Sequence, residues 1–273
     1  QTMKPVTALL PLLVFTLACE DAEPKKPLCD PSEANAGRVA LEAQVGGNIG
    51  NGPAVMYDNG FPFVFVDGQC NYWSSGTRTW RETRTGVLDA DTAAELGARL
   101  HFGAWPDLAG TWLESGYVDA PTLIFDDSTR VVVCASLCDG SSVPDSVKAM
   151  RDELFVVAQE LWDRGSAVES GVRAIAIAYE PFQGIPFVDW PLARPISDFV
   201  RTGSVEPGQG VLEDDPASAQ ALKDLRASFV RGDHGAFGWD MLPVKSDGAY
   251  YQLYLRDTLP FEDAQGFVPL TSH

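Results

Sequence analysis

The sequence predicts an α+β fold: a largely antiparallel sheet with packed helices, in two closely associated subdomains. Three observations carry that expectation. Two hairpin signals, an Asp-Gly turn at 67–68 and an acidic turn at 126–129, ask for antiparallel strands. Amphipathic segments opening near Asp89, Asp145 and Asp215 ask for helices that bury one face. Hairpins and helices are mixed along the chain, which argues against a regularly alternating parallel sheet.

The chain opens with a targeting pattern. Lys4 follows Met3, Leu9–Ala18 is almost wholly apolar, and Ala18 is the small residue a signal peptidase requires. The run is shorter than the ~20 residues a spanning helix needs. Residues 1–18 are therefore expected to be a signal peptide. Thr16-Leu17-Ala18-Cys19 resembles a bacterial lipobox, which implies a lipid on Cys19, although Thr16 stands where an aliphatic residue is usual. Glu20–Pro27 is charged, proline-rich and poor in apolar residues, so residues 19–37 are expected to form a lipid-anchored flexible tether. A first α+β module is assigned to 38–168 and a second to 169–273.

Within the first module, Phe61–Val66 and Cys70–Trp73 are the strands of the Asp67-Gly68 hairpin, and Thr79–Val87 is a third strand. Asp89 is the expected N-cap of a helix whose buried positions are Ala93, Leu96 and Leu100. Pro121–Phe125 and Arg130–Cys134 form the second hairpin. A helix starting at Val143-Pro144-Asp145 buries Val147, Met150, Leu154, Val157 and Leu161 and stops at Arg164-Gly165. Residues 166–171 mark the boundary. Beyond it come a strand at Val172–Tyr179, a proline-broken stretch, a helix begun by Asp215-Pro216 with Leu222, Leu225 and Phe229 inward, and a strand at Tyr250–Leu255.

Setting Cys19 aside leaves Cys29, Cys70, Cys134 and Cys138, an even number in an oxidising compartment. Of the three possible connectivities, Cys29–Cys70 and Cys134–Cys138 are favoured. The first ties the tether to the sheet and the second closes a short loop after a strand. Zinc is not expected, because only one C-x3-C occurs and His101, His234 and His273 are scattered. No cofactor site is expected either. The chain carries a net charge of −18, which repels nucleic-acid phosphates and anionic headgroups. Gly46–Gly52 runs into Pro53 and an extended stretch rather than a helix, so it lacks the amides that cradle phosphate.

Nucleophile-elbow, zincin and Walker signatures are absent. The best polar constellation is Asp233, His234 and Asp240, which could hold a cation or supply a general base. A glycine-rich turn explains these residues equally without chemistry, and that plainer reading is preferred. Asp126-Asp127 is read as a hairpin turn, and Asp257, Glu262 and Asp263 as a solvated acidic edge. Seven tryptophans could include a sugar-stacking platform, although Trp is more often core.

Asp67-Gly68, Thr85-Gly86-Val87-Leu88, Val118–Thr122 and the helix near 145–163 together resemble a small module found in exported bacterial proteins, over residues 58–164. Trp190–Ala193, Asp215-Pro216 and Leu255–Pro260 resemble the rear part of similar lipoproteins. The resemblance implies location and fold and brings no catalytic residues. The expectation is an exported, lipid-anchored envelope protein on the outer-membrane or periplasmic side, with a non-catalytic binding or structural role. Its partners would be the membrane, through the lipid, and an envelope protein or glycan. The alternative is an extracytoplasmic hydrolase or carbohydrate-binding protein.

Overall fold

A computed structural model describes residues 26–32, 38–46, 62–76, 82–112, 122–127, 130–134, 136–178, 180, 187–200, 210–228, 242–259 and 262. The leader, Cys19 and most of the glycine-rich loop lie outside these residues. The described elements are α+β, with two mostly antiparallel sheets and packed helices.

The larger sheet has eight strands. β1 (Val39–Gly46) is central, flanked by β2 (Pro62–Asp67) on one side and β6 (Thr122–Asp126) on the other. β3 (Asn71–Ser74), β4 (Arg84–Val87) and β8 (Ser166–Ala167) continue outward from β2. β7 (Val131–Cys134) and β5 (Gly110–Trp112) continue outward from β6, the β5–β7 pair being parallel. Two helices of this half match their expected caps and stripes. α1 (Ala90–Arg99) is capped by Asp89, whose Oδ1 accepts from the Thr92 amide at 2.7 Å. That bond holds the Asp89 carboxyl below the ordinary carboxylate range. α3 (Asp145–Arg164) buries Val147, Met150, Leu154, Val157, Ala158 and Leu161, a stripe at helical spacing. A single helical turn, α2 (Trp105–Leu108), completes this half and buries Trp105 against Phe102 and Phe125. Together these side chains form one apolar cluster.

The second half builds its own five-stranded sheet. β9 (Val172–Ala178) lies between β13 (Ala249–Asp257) and β11 (Val211–Glu213), and β12 (Leu242–Ser246) and β10 (Val188–Asp189) extend the β13 side. α4 (Pro216–Ser228) starts where Asp215 accepts the Ser218 amide at 2.9 Å, and it buries Ala219, Leu222 and Leu225 in a second apolar cluster. Phe229, expected on the same face, lies outside the described residues.

Several local readings need correction. The first hairpin turn is wider than two residues: Asp67 ends β2, the Cys70 amide returns to its carbonyl at 3.1 Å, and Cys70 takes a left-handed φ of 68°. The extra length lets the Asp67 carboxylate accept both the backbone and the side-chain N–H of Asn71, each at 2.8 Å. The strand expected at Thr79–Val87 is seen only from Arg84. β1 and β12 were not anticipated. Nor were Asp126 and Asp127 expected inside: their residues are 4 % and 3 % exposed, because Asp126 belongs to β6 and Asp127 folds back to accept the Arg130 amide.

Both favoured disulfides form. Cys29–Cys70 and Cys134–Cys138 have Cα separations of 5.3 and 5.0 Å, within the range a disulfide bridges. The first fastens the segment at 26–30 over α1. Gly97 permits that crossing, since a Cβ there would collide with the backbone of Lys26 and Leu28. The Leu28 amide then bonds the Ala93 carbonyl at 2.9 Å. Among the described residues no helix is long and apolar enough to cross a membrane.

The Cys29–Cys70 link closes a loop of 41 residues in sequence. Replacing both cysteines by alanine is expected to cost about 2–4 kcal/mol. Urea unfolding of the variant, read by circular dichroism, should show a lower midpoint. An unchanged midpoint would contradict a stapling role.

Candidate functional site

The constellation Asp233, His234 and Asp240 lies outside the described residues. The structure instead brings together a polar group that sequence reasoning had placed on the surface. Asp257, at the end of β13, is 1 % exposed, and Glu262 is 2 % exposed at its side chain. The solvated acidic edge expected there is two buried carboxylates, each surrounded by donors; Asp263 lies outside the described residues.

Asp257 joins three parts of the chain. Its Oδ2 accepts the Thr83 amide, from the segment leading into β4, at 2.7 Å. Arg226 of α4 donates through Nη2 to both carboxylate oxygens at 3.0 Å. Lys223 Nζ stands 4.0 Å from Oδ1 and donates to the carbonyls of Val168 at 3.0 Å and Ser170 at 2.7 Å. Around it, the Val168 amide bonds the Thr83 carbonyl, and the Thr258 amide bonds that of Gly171. The connector at 166–171 is therefore held from both sides.

Glu262 solves a different problem. Arg173 of β9 and Arg256 of β13 are direct cross-strand partners, and two like charges so placed repel. Glu262 accepts from both, at 2.9 Å from Arg173 Nε and through a pair of bonds from Arg256. Its Oε1 also accepts the Leu259 amide at 2.9 Å. Both carboxylates are thus compensated as burial demands.

A cleft of about 630 Å³ opens beside Asp257, where the two sheets meet. α4 presents Gln220, Lys223 and Arg226 to it, each one position beyond a buried apolar residue of the same helix. The opposite wall includes Glu82, Trp162 and residues 167–171. Trp162 is fixed by its Nε1 donating to the Glu82 carbonyl at 2.7 Å, with the Arg84 guanidinium 3.8 Å from its ring centroid. Glu169, Asp214 and Asp224 add carboxylates at the exposed rim. The cleft is of the size that takes small molecules.

Two polar atoms of lining residues have no hydrogen-bond partner among the described residues, and both are closed to solvent: Nη1 of Arg226 and Oγ of Ser170. The Arg226 side chain is only 9 % exposed, so the idle nitrogen is not a solvated one. Elsewhere, Asp127 sits 3.8 Å from Lys26 Nζ, and Glu42 faces Asp126 across β1 and β6. Among the described residues no group of three His, Cys, Asp or Glu is placed to hold a metal.

Of the tryptophans, Trp105 is core, while Trp73, Trp112, Trp162 and Trp190 are partly buried. Trp162 alone of these lines the cleft; Trp80 and Trp239 lie outside the described residues. Sequence reasoning missed Arg226 and Lys223 altogether. Their spacing of three beside an apolar stripe was visible, but their partners lie far away in the chain. Comparison with family models, with curated proteins and with solved structures finds no match to the chain.

Asp257→Asn removes the charge that Arg226 is built around. Breaking a buried pair from one side costs about 3–5 kcal/mol, whereas a surface charge costs about 0–1. Urea unfolding should show a loss of the first size for Asp257→Asn and little change for Asp224→Asn at the rim. Equal effects would contradict a structural role for Asp257.

Proposed function

We infer that the chain is an exported envelope protein, anchored by a lipid on Cys19, with a non-catalytic binding role centred on the cleft. The observation that carries the exported half is the pairing of Cys29 with Cys70 and Cys134 with Cys138, since protein thiols stay reduced in most cytosols. The leader pattern of residues 1–18 and the lipobox resemblance at Thr16–Cys19 point the same way. The acidic balance disfavours nucleic acid and anionic lipid surfaces as partners and leaves neutral or cationic ones.

The binding half rests on the cleft beside Asp257. A second reading, an extracytoplasmic hydrolase or carbohydrate-binding protein, gains from the same cleft on its binding side. For hydrolysis the cleft offers little. Its one fully buried carboxylate, Asp257, is already occupied by the Thr83 amide and Arg226.

Expressed with its leader in a bacterium, the chain should fractionate with the envelope, cut before Cys19 and heavier by an acyl-glyceryl group in intact-mass analysis. Cys19→Ala should lose that added mass and leave the membrane fraction. Recovery of uncut protein from the cytosol with all cysteines reduced would overturn the reading.

A further inference from the structure

We infer that the anchored chain stands on its bilayer by the end of the larger sheet that carries Cys29–Cys70. The cleft beside Asp257 lies at the opposite end and is turned away, so whatever it binds arrives from the side away from that membrane. This rests on the lipid anchor inferred above and adds the orientation of the cleft to it.

The chain meets the folded body soon after the anchor. Lys26 stands seven residues after Cys19. From there the backbone is fastened. Residues 26–28 cross α1 at Gly97, in contact close enough to exclude a Cβ. Leu28 is buried in the first apolar cluster, and its amide bonds the Ala93 carbonyl. Lys26 Nζ lies 3.8 Å from Asp127 and over the Phe102 ring. The Asp30 amide bonds the Gly68 carbonyl, and Cys29 is linked to Cys70.

Strand register places these contacts at one end of the sheet. Gly68 and Cys70 follow β2, and Asp127 follows β6. Asn71, next to Cys70, pairs with Val87 at the end of β4. Arg84, at the other end of β4, pairs with Ser74 and with Ala167 of β8. The cleft lies beyond that second end, since Glu82 precedes β4 and residues 168–171 follow β8. The strands therefore separate the tether from the cleft.

Length decides the orientation. Seven residues reach about 25 Å at full stretch. A compact chain of this size is about 45 Å across. With the cleft facing its own bilayer, Lys26 would stand a body's width off, beyond the reach of the leash. Adhesion does not compete with the leash. Asp30 on the tether, and Asp89 and Asp91 at the start of α1 just past that end of β4, are exposed and repel anionic headgroups.

The test uses the acylated full chain in vesicles of phosphatidylethanolamine and phosphatidylglycerol that carry a headgroup-linked acceptor dye. A donor dye is coupled through an azide-bearing residue placed at Asp91 in one variant and at Asp224, on the cleft rim, in another; both positions are exposed. Energy transfer from position 91 should exceed that from position 224 by about twofold or more, because one stands near the bilayer and the other across the body. Inserting about twenty Gly/Ser residues between Glu23 and Pro24 lets the leash exceed the body's width, and the two efficiencies should then converge. Equal or reversed transfer in the parent overturns the orientation, and a difference that survives the insertion overturns the leash as its cause. Acylated protein with either result keeps its anchor and loses the orientation alone, whereas a chain without the acyl-glyceryl mass loses both.

Discussion

A carboxylate removed from water must be met by donors, and the donors that meet Asp257 come from distant parts of the chain. The Thr83 amide belongs to the first sheet's side, Arg226 to the helix of the second half, and Asp257 itself to the second half's longest strand. Desolvating that charge is favourable only while all of these are in place. The group therefore acts as a condition on how the two sheets meet. Lys223, reaching from the same helix to the carbonyls of Val168 and Ser170, pins the connector that would otherwise let them separate. The Arg99 network with Glu153 and Glu160 is partly exposed and joins α1 to α3 within the first half, so it sets no condition on how the two sheets meet.

The same logic appears one residue earlier in the strand. Arg256 and Arg173 oppose each other across β13 and β9, a placement that is favourable only with an anion between them. Glu262 supplies it from just beyond the strand, and its bond to the Leu259 amide fixes the turn that brings it back. Asp257 and Glu262 thus make the end of β13 a dense polar joint, while the apolar clusters lie to either side. The cleft is a by-product of that geometry. Arg226 must present Nη2 to Asp257 from a helix face whose residues also line the cleft.

Local chemistry made much of the fold legible in the sequence. Asp89 and Asp215 cap the helices expected of them, the stripe from Val147 to Leu161 is buried, and both disulfides join the favoured pairs. Each depends on residues close in sequence, or on cysteines too few to pair in many ways. What was not legible is non-local. Nothing near Asp257 in the chain says that Thr83, 174 residues away, will donate to it, so a charged stretch after a strand reads as solvent-facing edge. β1 was missed because Val39–Gly46 carries Glu42 and Gln44 on a strand buried on both sides, which masks its period of two. The candidate site was hidden for the same reason: Lys223 and Arg226 look like a solvated helix face until the connector and Asp257 are folded against them.

A binding role for the cleft presupposes that the two sheets are held together around it. The amide of Thr83 reports that joint directly, since its hydrogen is donated to Asp257. Native-state hydrogen exchange at that amide should show protection comparable to the core amides of β9 and β13, lost together with theirs on global unfolding. Exchange of the Thr83 amide at the rate of an open loop, while those strands stay protected, would contradict the account.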